Sequence, residues 1–522
     1  MRENHSPETN GDARGSPASS AHSTVAWLTF IFSGGFLSIF VVTAVVDLDF
    51  LTQVVNNGFA WSIEWFGAYW QLLLLATFVI GLAIALSPYG RARLGDLPMP
   101  DNHRLKWLAM IMCTLLAGGG VFFAAAEPIA HYLSPPPLFD LSTPSESAVH
   151  AALAQSFMHW GFLSWAILGS LTTIIFMYLH YEKGLPMKPR ALLYPLLGRK
   201  LIEGWIGDVA DAVCIIAVVA GTVGPIGFLG AQVSYGLEDL FGVPDKLSTQ
   251  LLIILGLVAL YTTSTVSGIR RGIQLLSIFN ITLAIALMVF ILTLGPTRFL
   301  LESYLSSGGV HLAHFLDMAA FREDQDWLGQ WTLFFWGWFL GYGPMMAMFI
   351  ARISNGRSIR EVILSLSVLA PIVTSFWFTI LGGTGLALET ASPGVISGPF
   401  AGFNMPGALL AITQQLPMGF MISLLFLILT TVFVATTSDS MTYTISMAMC
   451  GSDSPPRPMR VFWGLIMGAL AAVLLTLGGG TITALQYFII ITAVPVSLLL
   501  LPSLWVAPML ARRLAIAQGV SQ

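Results

Sequence analysis

The sequence predicts an all-α integral membrane protein with twelve transmembrane helices, and three observations carry that prediction. Of its 522 residues, 56% are hydrophobic and only 10% are charged, and the mean hydropathy is +0.79. Soluble domains carry about 25% charged residues. The apolar residues gather into runs of about 20, the length a helix needs to cross hydrocarbon. The basic residues between those runs fall almost entirely on one side.

The elements follow in order. Residues 1–24 are polar, rich in Ser, Asn, Gly and Pro, and hold no apolar core, so they read as a disordered tail and not as a signal peptide. Apolar runs then cover about 25–46, 66–87, 106–133, 149–180, 205–236, 247–268, 272–297, 329–353, 361–388, 417–449, 458–478 and 483–510. With the N-terminus inside, every Lys and Arg except Lys246, Arg298 and Arg322 falls in a cytoplasmic segment. Both ends are therefore expected on the cytoplasmic side. Ser306 to Asp326 is too short and polar to span and reads as an amphipathic helix on the outer surface.

Two spans contain helix breakers. The third carries Ala117-Gly118-Gly119-Gly120 and the eighth Gly341-Tyr342-Gly343-Pro344. Paired broken spans in two halves of a chain point to a transport site. They lie five spans apart, so spans 3–7 and 8–12 divide into two five-helix repeats of opposite orientation, with spans 1 and 2 added in front. This gives units 1–24, 25–100 (spans 1 and 2), 106–300 (first repeat), 301–328 (the amphipathic helix), 329–510 (second repeat) and 511–522 (a short tail). Freed backbone groups in hydrocarbon cost several kcal/mol unless something satisfies them. A break beside Trp336, Trp338, Phe339 and Tyr342 therefore implies a lined cavity, and ring faces attract a cation. A Pro-kinked helix with interfacial aromatics would show the same pattern.

Trp331 to Glu361 reads W-T-L-F-F-W-G-W-F-L-G-Y-G-P-M-M-A-M-F-I-A-R-I-S-N-G-R-S-I-R-E. This stretch resembles the eighth-span signature of the betaine/carnitine/choline transporter family. Trp331, Thr332, Phe334, Trp336, Trp338, Pro344 and the run Phe349 to Glu361 fit it; Phe339 and Tyr342 stand where that family usually has Trp. Span 4 resembles it too, through His159-Trp160 and Trp165-Ala166-Ile167, with Leu168 in place of the family's Tyr. The resemblance implies a LeuT-like inverted five-plus-five core, a bacterial inner-membrane location and a homotrimer. It also implies an aromatic box round the substrate's quaternary ammonium.

In that reading Trp160, Trp165, Leu168, Trp336, Trp338, Phe339 and Tyr342 line the substrate site. Free N–H groups at Gly118, Gly119 and Gly120 face the counter-charge of a zwitterion. Ala435-Thr436-Thr437-Ser438-Asp439-Ser440 resembles the family's span-10 sodium motif, so Thr436 and Thr437, with carbonyls of Ala117 and Gly120, are the implied Na+ ligands. Hydroxyl and carbonyl oxygens suit a hard cation; back-bonding within a helix is the plainer use of such residues. The second family sodium site is altered, because Gly224 and Pro225 replace its Thr and Ser and Thr222 stands out of register. No other cofactor is expected.

The remaining polar residues are read structurally. Glu127, before Pro128, reads as a structural partner, and His131 and His159 show no second ligand at metal spacing and read as polar packing. Asp208 and Asp211 open span 5, with Arg352, Arg357 and Arg360 as partners for such carboxylates or for lipid headgroups. The three cysteines lie in apolar stretches without metal spacing, and no basic stripe marks a nucleic-acid partner. A membrane enzyme would need a dyad or cluster that the intramembrane residues do not supply. The expected function is a secondary transporter that imports a small zwitterionic or cationic onium compound, of betaine, choline, carnitine or dimethylsulfoniopropionate type, with sodium. The competing readings are proton-coupled or exchange transport of another zwitterion or amine, and an ion channel.

Overall fold

The computed structural model describes residues 26–113, 119–142, 145–267, 270–450 and 455–520, and among these the only β-structure is an isolated bridge between Arg93 and Ser358. The helices are α1 (Trp27–Val46), α2 (Leu48–Leu86), α3 (Arg104–Cys113) and α4 (Gly119–Leu133). A span in three pieces follows: α5 (Glu146–Trp160), α6 (Phe162–Ile167) and α7 (Thr172–Lys183). Next come α8 (Trp205–Phe241), α9 (Leu247–Ser267), α10 (Arg270–Leu294) and α11 (Thr297–Ala313). The second half holds α12 (Thr332–Ile353), α13 (Ile359–Ala391), α14 (Met405–Gln414), α15 (Gly419–Cys450), α16 (Arg457–Leu477), α17 (Thr483–Leu500) and α18 (Ser503–Ala517).

Among the described residues, 11 helical stretches are long and apolar enough to cross a membrane. The third span expected from sequence is not among them; α3 and α4 flank residues 114–118, which lie outside the described set together with the 1–24 tail. α2 starts well before the expected residue 66. Asp47 caps it by accepting the Phe50 N–H at 2.9 Å, and Gln53, Asn56 and Asn57 in its first turns had hidden it from a hydropathy reading. The outer helix also begins earlier than expected, as α11.

α12 is the axis of the fold. Every residue from Trp331 to Met348 is buried, and the helix packs against α17, α8 and α7. The expected break at Gly341–Pro344 is not there: the helix runs through Pro344. Its glycines serve close packing instead, as small residues do between membrane helices. A methyl on Gly337 would come within 3.1 Å of the Trp70 ring, and one on Gly343 within 3.2 Å of the Ile167 carbonyl. α8 answers in kind, since a methyl on Gly221 would overlap the Tyr342 ring and one on Gly224 would press on Ile489.

The break falls in span 4. Gly161 takes φ −101° and ψ −136°, which ends α5 directly after Trp160, and Leu168 to Leu171 form a second interruption before α7. A Cβ at Gly161 would overlap the Phe157 carbonyl. Two of the freed groups are repaired locally: the Ser164 hydroxyl donates to the His159 carbonyl, and the Trp165 N–H donates to the Gly161 carbonyl at 3.0 Å.

At the end where α8 begins, Arg190 gathers its carboxylates. Its Nε lies 2.6 Å from Asp211 Oδ2 and its Nη2 2.6 Å from Asp208 Oδ1, which also accepts the Thr29 hydroxyl at 2.9 Å. Burial alone would lower the guanidinium's pKa, but the two carboxylates raise it above its ordinary value. Two of the three arginines expected to serve these acids are engaged elsewhere, and Arg352 is exposed. Arg357 lies over the Trp107 ring and pairs with Glu361, and Arg360 donates to the carbonyls of Ala85 and Ser87.

Candidate functional site

The end of α5 carries the central side chain. Because Gly161 stops the helix, Trp160 projects from a helix terminus into a set of rings supplied by four other helices. Its ring centroid lies 5.2 Å from Phe335, 6.0 Å from Trp338 and 5.5 Å from Phe339, all on α12. Phe378 of α13 stands at 5.2 Å and Phe123 of α4 at 6.1 Å, and Phe228 of α8 closes on Trp338 at 5.8 Å. Trp338 is fixed by its indole N–H, which donates to the Gly221 carbonyl at 3.1 Å. One turn further along α12, the Tyr342 hydroxyl lies 2.8 Å from that of Thr222.

Three expected site residues are thus brought together: Trp160, Trp338 and Phe339, with Tyr342 and Gly221 at the edge. Trp165 takes a different wall, where its indole donates to Thr374 Oγ1 at 3.0 Å, and Leu168 is buried in the turn before α7. Trp336 is fully enclosed, its N–H is without a partner, and no ring contact joins it to the cluster among the described residues. Gly119 opens α4, the Gly120 carbonyl accepts the Trp377 indole at 3.1 Å, and Ala117 and Gly118 lie outside the described residues. Phe123, Phe335, Phe378 and Trp377 were passed over in the sequence, where nothing sets them apart from ordinary membrane aromatics.

A polar network sits against the cluster. Glu127 of α4 accepts the Trp160 indole N–H on Oε2 at 2.8 Å, and its Oε1 lies 2.6 Å from His159 Nδ1. The far ring nitrogen of His159 lies 2.9 Å from both Gln155 Nε2 and Thr332 Oγ1. With the Gln155 amide donating there, the imidazole proton sits on Nδ1 and is donated to Glu127. His131, one turn along α4, brings Nε2 to 3.5 Å of the same oxygen. The expectation of isolated histidines is therefore corrected: Glu127, His131 and His159 offer ligand atoms within 4.8 Å of one another. The Glu127–His131 spacing of four on one helix was the available signal; His159 arrives from another helix. The 2.6 Å separation is a hydrogen bond, since two donors on one zinc-like ion stand more than about 3 Å apart.

Two cavities open among the described residues. One, of about 470 Å³, lies at the end where α12 begins and is lined by Trp331, Phe403, Phe59, Tyr487, Asp245 and others. Phe122 lines it too, and stacks at 5.4 Å on Phe228, the ring that touches Trp338. One layer of rings thus separates this cleft from the Trp160 cluster. The second cavity, of about 170 Å³, is lined by Thr436 and Thr437 of α15 with Ser277 and Asn280 of α10. Thr436 also back-bonds to the Val432 carbonyl at 2.8 Å.

This arrangement offers ring faces that can hold a compact cation without hydrogen-bond donors. Among the described residues of the cluster, no nucleophile is paired with a base. Comparison with known proteins agrees. The family model described as "BCCT, betaine/carnitine/choline family transporter" matches residues 28–515. "Glycine betaine transporter 2" of Vibrio parahaemolyticus is 57% identical over 94% of this chain and 91% of its own. "Glycine betaine transporter OpuD" of Bacillus subtilis is 34% identical over 92% of each. A solved Na+-coupled sialic acid symporter covers 83% of this chain and 85% of its own at a TM-score of 0.48 and 14% identity, a likeness too distant to carry weight. These relatives are named as transporters, and the chain is not an enzyme.

Proposed function

The chain belongs to the betaine/carnitine/choline transporter family, and on that premise we propose that it is a secondary transporter importing a small onium compound, glycine betaine foremost, by alternating access. The observation that carries this is the ring cluster round Trp160 at the broken end of α5. Trimethylammonium offers no hydrogen-bond donor, so it is held by cation–π attraction and fit, at about 0.5–2 kcal/mol per desolvated ring. Trp160, Trp338 and Phe339 form the walls, Trp165, Leu168, Trp336 and Tyr342 shape the surrounding shell, and N–H groups at Gly118 to Gly120 meet the carboxylate.

The proposed architecture is twelve spans in two inverted five-helix repeats behind two added helices, with the third span broken at the Ala117-Gly118-Gly119-Gly120 motif and both termini in the cytoplasm of a bacterial inner membrane. The cleft beside Phe122 is then the outer vestibule. The coupling ion is sodium, with Thr436, Thr437 and the carbonyls of Ala117 and Gly120 as its ligands. It drives uptake only by favouring the substrate-loaded form, since equal affinity for both states shifts nothing.

The test is uptake of labelled glycine betaine, choline, carnitine and dimethylsulfoniopropionate into proteoliposomes, with and without a sodium gradient. Saturable, sodium-driven accumulation of glycine betaine is expected, and Trp160→Ala is expected to abolish it while leaving folded protein. Uptake driven by a proton gradient alone, or unchanged kinetics in the variant, counts against the reading.

A further inference from the structure

Outside the ring cluster, one buried polar side chain stands against the break in span 4. His311 of α11 is 4% exposed, and its ring stacks on Phe162 at 5.5 Å with 23° between the planes. Phe157 lies 6.3 Å away, on the other side of the break. A methyl on Gly161 would come within 3.6 Å of His311 Cε1, so the imidazole sits directly on the joint. Phe315 and Phe78 complete the socket: Phe315 is 5.7 Å from His311, and Phe78 of α2 is 5.7 Å from both Phe162 and Phe315. Further back on α11, Tyr304 meets Phe157 at 6.1 Å, and its hydroxyl donates to the Ile372 carbonyl of α13 at 3.2 Å. α11 thus grips the chain before the break and after it, and ties it to α13.

Apolar rings alone would fill this socket. Yet among the described residues the buried His311 Nε2 has no partner, and neither has the hydroxyl of Ser307, one turn back on the same face. Burial lowers the imidazole's pKa to about 4, so the ring is neutral at neutral pH and a phenyl is its close apolar substitute. An unpaired polar atom costs stability in whichever state leaves it unpaired. A helix break, for its part, frees backbone groups that can pair with such an atom. We propose that His311 is a positioning residue for transport: it pins the Gly161 joint in this arrangement, and its idle nitrogen keeps the pin weak enough to release. It acts through the joint, whose angle sets how Trp160 on α5 stands to Trp165 on α6. When the joint bends, the nitrogen takes a freed backbone group as its partner. That difference between the two states is what shifts their populations.

This rests on the alternating-access reading above, but one arm of the test is independent of it. Amide hydrogen exchange is followed at residues 158–166, with 336–346 of α12 as the reference, on detergent-purified wild type, His311→Phe and His311→Ala without substrate. Glycine betaine uptake is measured on the same proteins in liposomes. His311→Phe keeps the ring contacts and loses the unpaired nitrogen. Its joint exchange is expected to slow about tenfold, and its maximal uptake rate to fall by a similar factor with KM not raised. His311→Ala removes the pin. Its joint exchange should quicken about tenfold while the α12 reference stays at the wild-type rate, and its KM should rise.

Equal quickening along α12 in His311→Ala reduces His311 to core packing and overturns the inference. Joint exchange at the wild-type rate in His311→Phe overturns it too, and that variant decides alone if His311→Ala does not fold. Slowed joint exchange with an unchanged uptake rate keeps the pin and overturns its role in transport. If the wild type accumulates no glycine betaine, the functional reading fails, while the exchange comparison still decides the joint.

Discussion

Glu127 accepts from two consecutive residues at once, His159 through Nδ1 and Trp160 through the indole N–H, directly before the backbone turns at Gly161. The carboxylate thus brackets the loose end of α5 and sets the aim of the ring at the centre of the cluster. Hydrogen bonds to charged groups contribute about 1.5–3 kcal/mol, equivalent to about tenfold or more in affinity when the loss falls on binding. Glu127→Met is therefore expected to raise the KM for glycine betaine about tenfold with little change in maximal rate per folded transporter. Glu127→Gln keeps an acceptor for the indole and, with the other imidazole tautomer, a donor for His159, so its KM should stay near wild type. A Gln variant as impaired as the Met variant would mean that charge, not aim, is what Glu127 supplies.

Among the elements, α12 and the α5–α6 junction exchange the roles that composition assigns them. Gly341 to Pro344 looks like the breaker and is packed into an unbroken rod; Gly161, one glycine beside Trp160, ends a helix. Gly161→Ala places a methyl on the Phe157 carbonyl, and is expected to destabilise the protein by about 1–3 kcal/mol and to abolish uptake. A thermal midpoint equal to wild type would remove the junction's importance. Eleven of the twelve expected spans were legible in the sequence, because hydropathy is a local property read one stretch at a time. The motifs round Trp160 and Trp338 were legible for the same reason. Which glycine frees backbone depends on what packs against it, here Ile167, Trp70 and Phe157. The meeting of Glu127 with His159, and of Trp377 with Gly120, is likewise decided by helices far apart in the chain.

At the scale of the whole molecule, α11 and the short helix after it turn Leu301, Leu305, Leu312 and Leu316 outward, all exposed, while Ser303, Ser307 and His311 face inward. The bare leucines share the outer side with the exposed Arg298, Glu302 and Ser306, so this surface is mixed and not sealed by the chain itself. Contact with a second copy would cover it, as the homotrimer that the family resemblance implies would require. Leu305→Glu is expected to shift the purified protein from trimer to monomer, read by light scattering with the detergent mass subtracted. A trimer that persists in this variant and in Leu312→Glu would place the interface elsewhere.

The unbroken α12, buried from Trp331 to Met348, has a mechanical consequence under the alternating access proposed above. A straight rod gripped along its length by α17, α8 and α7 behaves as an axle. In the proposed cycle the spacing between its two ends would stay constant, and movement would fall to jointed parts such as the break at Gly161.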